Sequence, residues 1–166
     1  MEIKQELPNF SKQDFDLNSW RLQTDGLIRE PLALEYDDLL ALPKVSLTDD
    51  FTCLEGWMVK EIAWEGVRLS DVLELLGLSP QAQFVRLASD GFSVVLPLAR
   101  ALEATTILAL RQDGVALDEY HGGPARLVLR GQECFESVKG LNQIRVLEMS
   151  EEGTAAYIAL GRIADG

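Results

Sequence analysis

The chain has 166 residues, 47% of them hydrophobic and 25% charged, which fits one globular domain able to bury a substantial core. A formal charge of −12 and an isoelectric point near 4.4 argue against nucleic acid and anionic membrane surfaces, both of which need a basic footprint. Two cysteines give no disulfide framework, and no apolar run approaches the roughly 20 residues that span a bilayer.

Residues 1–19 are polar and unpatterned and read as an N-terminal arm. Met1–Glu6 carries no cationic, apolar leader, so the chain as written reads as cytoplasmic, or periplasmic if a leader has been removed. Trp20 to Leu27 alternates apolar and polar residues around Thr24-Asp25-Gly26, a strand–turn–strand pattern. Tyr36 to Ala41 predicts a short helix ended by Pro43. Val45 to Thr52 predicts a strand leading into a turn-like segment at Cys53, and Val59 to Val67 a second strand with a corner at Trp64-Glu65-Gly66. Ser70 is placed to cap a helix over Asp71–Leu76 that stops at Gly77.

Strands are then predicted over Phe84–Ala88 and Phe92–Leu96, joined at Ser89-Asp90-Gly91. A short helix over Pro97–Leu102 precedes a strand over Thr106–Arg111 and a hairpin turn at Gln112-Asp113-Gly114. Arg126–Arg130 and Gln143–Leu147 read as late strands. Short strands interrupted by short helices, without a βαβ rhythm, predict an α+β domain over residues 20–150, with 151–166 as a C-terminal tail.

The usual signals of nucleotide, zinc and acyl-transfer chemistry (a Gly-rich phosphate loop, HExxH, CxxC and GxSxG) do not occur. The thiol of Cys53, in Phe51-Thr52-Cys53-Leu54-Glu55-Gly56-Trp57, has three options: buried small hydrophobe, nucleophile, or thiolate ligand to a soft metal. Trp57 reads as pocket wall or core, and Trp64 as core. His121 and Arg126, taken locally, are a turn histidine and a strand-end charge.

Several segments taken in order change those readings. They are Trp20-Arg21-Leu22-Gln23-Thr24-Asp25-Gly26-Leu27, Leu34 to Pro43, the Cys53 segment, Trp64-Glu65-Gly66-Val67, His121-Gly122-Gly123-Pro124-Ala125-Arg126, and Ser137-Val138-Lys139 with Ile144-Arg145-Val146. Together they resemble the oxidoreductase molybdopterin-binding domain family, which includes sulfite oxidases, assimilatory nitrate reductases and bacterial methionine-sulfoxide reductase catalytic subunits. The resemblance implies a mixed, strand-rich, sulfite-oxidase-type fold and a molybdenum–molybdopterin cofactor. It implies Cys53 as metal ligand and catalytic centre, with Ser89, His121, Arg126, Ser137, Val138 and Lys139 at the pterin and its phosphate.

It further implies oxygen-atom transfer on a small oxide substrate, with electrons exchanged through a separate redox partner protein, a haem protein being one option. The acidic charge is compatible with a cationic partner of that kind. Glu55 beside the metal position would repel sulfite, which favours a sulfoxide reductase-like reaction. Glu133-Cys134-Phe135-Glu136 departs from the family, where a Tyr-Gly-aromatic-Lys run is usual, and Asn9-Phe10 only echoes an arm that often helps bind the pterin. These departures supply an alternative: a degenerate, non-catalytic domain of the same fold that binds a pterin, another ligand or a partner protein.

Overall fold

The structure, a computed structural model, describes residues 1–132 and 134–164, without side-chain detail at 156, 157 and 162–164. Two sheets form its frame. In the first, β5 (Trp57–Arg68) is the spine. β4 (Lys44–Cys53) runs antiparallel along one edge of it. On β5, too, lie β1 (Glu2–Lys4), parallel, and β8 (Ile107–Gln112), antiparallel. β9 (Val115–Ala116) and β10 (Arg126–Val128) both pair with β8.

The second sheet has the order β3 (Leu32–Leu34), β2 (Leu22–Gly26), β11 (Gln143–Leu147), β6 (Phe84–Ser89), β7 (Phe92–Pro97). Its pairs are antiparallel except β2 with β11. Helices α1 (Tyr36–Leu40), α2 (Leu69–Leu76), α3 (Leu98–Ala101) and α4 (Thr154–Ala164) sit between and around the sheets. This is the α+β, strand-rich class that the sequence predicts.

Two apolar clusters hold the frame. The larger joins α2 (Leu69, Val72, Leu73, Leu76) to the second sheet through Leu22, Val85, Leu87, Ile144 and Val146. The smaller lies on the first sheet and contains Leu7, Phe51, Trp57, Ile62, Trp64 and Val128, with Phe10, Cys53 and Cys134 packed against it. The site grows from this second cluster.

Four local expectations are corrected. Thr24-Asp25-Gly26 is not a turn but the end of β2, because β11 pairs alongside it from Gln143↔Gln23 to Val146↔Gly26. Trp64-Glu65-Gly66 is not a corner; β5 runs through it, and the irregularity is a register shift against β8 between Glu65 and Gly66. A Cβ on Gly66 would fall 1.9 Å from the Leu108 carbonyl oxygen, so glycine is required where β8 crosses closely. The α2 helix begins at Leu69, with Arg68 as its N-cap, so Ser70 lies inside its first turn and does not cap it. Gly77 does end α2, in the left-handed conformation at φ +73°. Cys53, expected in a turn, is instead the last residue of β4.

The arm and residues after β11 both join the fold. β1 adds to β5 at Trp57–Val59, Leu7 is buried, and the Phe10 and Gln13 amides donate to the carbonyls of Tyr120 and Glu119. At the other side, Thr154 opens α4 and locks it to the β6–β7 hairpin. Its hydroxyl donates to the Gly91 carbonyl at 2.8 Å and accepts from the Ser93 amide at 2.9 Å.

Candidate functional site

A cleft of about 570 Å³ opens between the end of β4, the arm, the β6–β7 turn, the 3-10 turn Cys134–Glu136 and α4. Cys53 stands at its edge because of the hairpin that follows. Leu54-Glu55-Gly56 forms a three-residue loop, with Gly56 at φ +92° and its amide donating to the Cys53 carbonyl at 3.0 Å. Across that loop Cys53 pairs with Trp57. The loop also aims the next acid, since the Trp57 indole Nε1 donates to Glu55 Oε2 at 3.2 Å. Cys53, Glu55 and Trp57 all line the cleft, so Trp57 is both core and wall.

The Cys53 thiol is half-buried, and loss of solvent pushes its pKa up to about 11. The Glu55 backbone amide lowers it in part, and the neighbouring Cys134 side chain adds a smaller raising effect. The site therefore holds a neutral thiol until something cationic replaces the proton.

Arg126, at the start of β10, is completely buried. Its Nε donates to Ser137 Oγ at 2.6 Å and its Nη1 to the His121 carbonyl at 3.2 Å, while Nη2 has no hydrogen-bond partner among the described residues. The guanidinium carbon lies 5.1 Å from the Trp64 ring centre and 5.3 Å from those of Phe10 and Phe51. Burial pushes its pKa down to about 9, opposed by the Cys134 sulfur. A buried cation ringed by three aromatics, with Nη2 unpartnered among the described residues, keeps one strong donor without an acceptor.

Lys139 reaches the same place, its Nζ 3.7 Å from the Phe10 ring centre. Gly122 makes this convergence possible. At φ +87°, a Cβ there would sit 2.8 Å from Lys139 Cγ and 3.1 Å from Arg126 Cδ.

The remaining sequence-predicted residues fall around this pair. Ser137 is buried and spends its hydroxyl on Arg126. Val138 is buried and acts through its backbone, its carbonyl accepting from Leu127. The His121 ring donates from Nδ1 to Asp118 at 2.7 Å, and its carbonyl serves Arg126. Burial tends to raise the Asp118 pKa, but hydrogen bonds from His121 and the Tyr120 amide win and lower it.

Ser89 is buried and lines a neighbouring cavity of about 400 Å³ with Arg21, Arg86 and Asn142, joined to the cleft only through Asp90 and Gly91. The fold thus brings Cys53 and Lys139 to the cleft lining, buries Arg126 and Ser137 behind the lining residues Phe10 and Phe51, attaches His121 and Val138 through main-chain atoms, and sets Ser89 next door. Glu133 lies outside the described residues. The Glu136 carboxylate accepts from Arg100 at 3.4 Å.

Some of the cleft escapes a residue-by-residue reading. Phe51 and Trp64 form the aromatic bed of Arg126, Cys134 meets Cys53, and Ile158 and Ala159 of α4 make a wall. The apolar run after Thr154 is the signal for that wall. Among the described residues, no group of three or more His, Cys, Asp and Glu side chains gathers to hold a metal.

Fold and site together define a pterin-type oxidoreductase domain, and comparison with known proteins agrees. The chain belongs to the oxidoreductase molybdopterin-binding domain family, whose model matches residues 9–155. It is 33% identical over 139 residues to the oxidoreductase YuiH of Bacillus subtilis, covering 83% of this chain and 70% of that protein. It is 28% identical over 160 residues to the protein-methionine-sulfoxide reductase catalytic subunit MsrP of Gluconobacter oxydans, covering 85% of this chain and 51% of MsrP. The sulfane dehydrogenase SoxCD of Paracoccus pantotrophus shares the fold with a TM-score of 0.80 at 23% identity, over 86% of this chain and 42% of that one. The chain thus spans most of YuiH but about half or less of the other two. Among the described residues, no helix is long and apolar enough to cross a membrane.

Proposed function

We propose that this chain is the cofactor-binding catalytic domain of a molybdenum oxidoreductase that removes an oxygen atom from a small, uncharged oxide, with electrons delivered by a separate redox protein. The observation that carries the reading is Arg126: a fully buried guanidinium with an unpartnered Nη2, next to a cleft with a thiol at its edge. The residues fit a molybdopterin. Arg126 and Lys139 would hold its phosphate, Gly122 permits their approach, and Cys53 would supply the protein thiolate to the metal. When bound, the cofactor supplies the two-electron oxygen-transfer chemistry.

The chain's own contributions are orientation and selection. Cys53 gives up its proton on ligation, so loading releases a proton to solvent. Ser137 Oγ fixes the plane of the guanidinium by accepting from its Nε. Glu55, held by Trp57 Nε1, and Asp90 put negative charge on the cleft lining and disfavour a dianion such as sulfite. A neutral oxide suffers no such repulsion, and similarity to proteins named as methionine-sulfoxide reductase subunits supports a sulfoxide.

A second reading, ligand binding without turnover, draws on Cys134, which occupies the cleft beside Cys53. Protein made in a molybdenum-replete host separates the two readings. Stoichiometric metal, a thiolate charge-transfer band lost in Cys53→Ser, and dye-linked sulfoxide reduction support the catalytic reading. Unchanged metal content and spectrum in Cys53→Ser would remove Cys53 from the metal.

A further inference from the structure

The chain's two cysteines, 81 positions apart in sequence, meet in the cleft. Cys53 ends β4 and Cys134 opens the 3-10 turn that packs on β4. Both are half-buried free thiols set against the same apolar cluster. Both side chains line the same cleft, on two elements packed against each other. A pterin-held metal does not need Cys134 as a second protein thiolate.

We propose that Cys53 and Cys134 form an oxidation site that closes to an intramolecular disulfide in the cofactor-free protein, withdrawing the ligand thiol. The oxidant is a peroxide. One thiol, as its thiolate, attacks a peroxide oxygen; the O–O bond breaks, giving a sulfenic acid and, with a proton, water. The second thiolate attacks that sulfur; the S–O bond breaks, the S–S bond forms, and the oxygen leaves as a second water. Two thiols lose two electrons in all, and the peroxide gains them. A dithiol reductant reverses the change by exchange. Closure is within reach because both thiols line one cleft and the 3-10 turn bears on the strand that carries Cys53. The consequence for loading rests on the proposed role of Cys53 as metal ligand; formation of the bond does not.

The experiment uses the full chain, prepared in a host that makes no molybdenum cofactor and treated with hydrogen peroxide. Expected is a loss of two hydrogens in intact mass, no titratable thiol, a monomer on a non-reducing gel, and a linked peptide pair holding residues 53 and 134. A dithiol should restore both thiols, and Cys134→Ser should show no such mass loss. Two persistent thiols, disulfides only between chains, or oxygen added at Cys53 with Cys134 still free would overturn the proposal.

Loading is read separately, with molybdenum cofactor released from another enzyme. Uptake by the oxidised chain should fall at least ~tenfold and return on reduction, since a disulfide sulfur cannot supply the deprotonated ligand that binding needs. If the disulfide forms and uptake is unchanged, Cys53 is not the ligand, and the functional reading fails while the oxidation site stands. Failure of the reduced chain to bind any cofactor has the same meaning.

Discussion

Replacing Arg126 by Met separates a receptor from a brace. Holding a guanidinium charged at neutral pH when burial has pushed its pKa to about 9 costs about 5 kcal/mol. The hydrogen bonds to Ser137 and the His121 carbonyl return about 1.5 kcal/mol each, and the three ring contacts about 0.5–1 kcal/mol each. The two sides nearly cancel. Met fills a similar volume with no charge to desolvate, so Arg126→Met should leave urea stability of the cofactor-free protein within about 2 kcal/mol of the parent.

Binding should respond quite differently. An anion at about a hundred times its dissociation constant adds ~2.7 kcal/mol to the parent. Pyrophosphate, tested as a probe by thermal melting, should therefore raise the parent midpoint and leave the variant where it was. A loss of about 4 kcal/mol or more in the empty variant would show that Arg126 is an ordinary buried structural group. Equal stabilisation of both proteins by pyrophosphate would refute the receptor argument directly.

Other outcomes follow from the same geometry. Lys139→Ala should copurify with about ten- to a hundredfold less pterin while melting near the parent, because it loses a charge-assisted phosphate contact; full occupancy would make Lys139 a bystander. Gly122→Ala, with a Cβ 2.8 Å from Lys139 Cγ at φ +87°, should cost about 1–3 kcal/mol in urea and reduce pterin occupancy as well. Glu136→Gln should leave occupancy at low salt within about twofold, because Arg100 already neutralises that carboxylate; a large gain would mean that its charge reaches the cofactor. The hydrogen bonds from Arg145, 2.9 and 2.8 Å long, lower the Asp25 pKa from its ordinary 3.8. Stability from that pair is therefore present above about pH 4 and lost as pH falls through the lower folded value. Asp25→Asn should flatten that part of the acid-unfolding curve, and an unaltered curve would discount the pair.

The long strands and the α2 helix were legible because local pattern and tertiary context agree there. Two short apolar runs joined at Ser89-Asp90-Gly91 mark β6 and β7, and Gly77 marks a helix end that nothing overrides. The turn expected at Thr24-Asp25-Gly26 fails because those residue types are turn formers in isolation, while a parallel partner 120 positions away holds them extended. The Ser70 cap fails similarly: Leu69 is fully buried and starts the helix two residues before Asp71.

For the site, motif order pointed to Cys53 and Lys139, which line the cleft, and to Arg126 and Ser137, which are bonded to each other in the interior. It could not show that Arg126 is wholly buried, that Ser89 opens into a separate cavity, or that Cys134 contacts Cys53. Each depends on pairing between distant segments, and one sequence carries no record of such pairing.

The walls of the cleft also impose an order of assembly. Pro8 to Gln13 lie on one side and Ile158 and Ala159 on another, while β2 can complete its sheet only when β11 exists. A growing polypeptide therefore emerges with its thiol and its buried cation committed to a site that lacks its last wall. The pocket is a product of the late chain, complete only after translation has passed residue 159. Insertion of the proposed cofactor would then follow synthesis, with both thiols open to their surroundings in the interval.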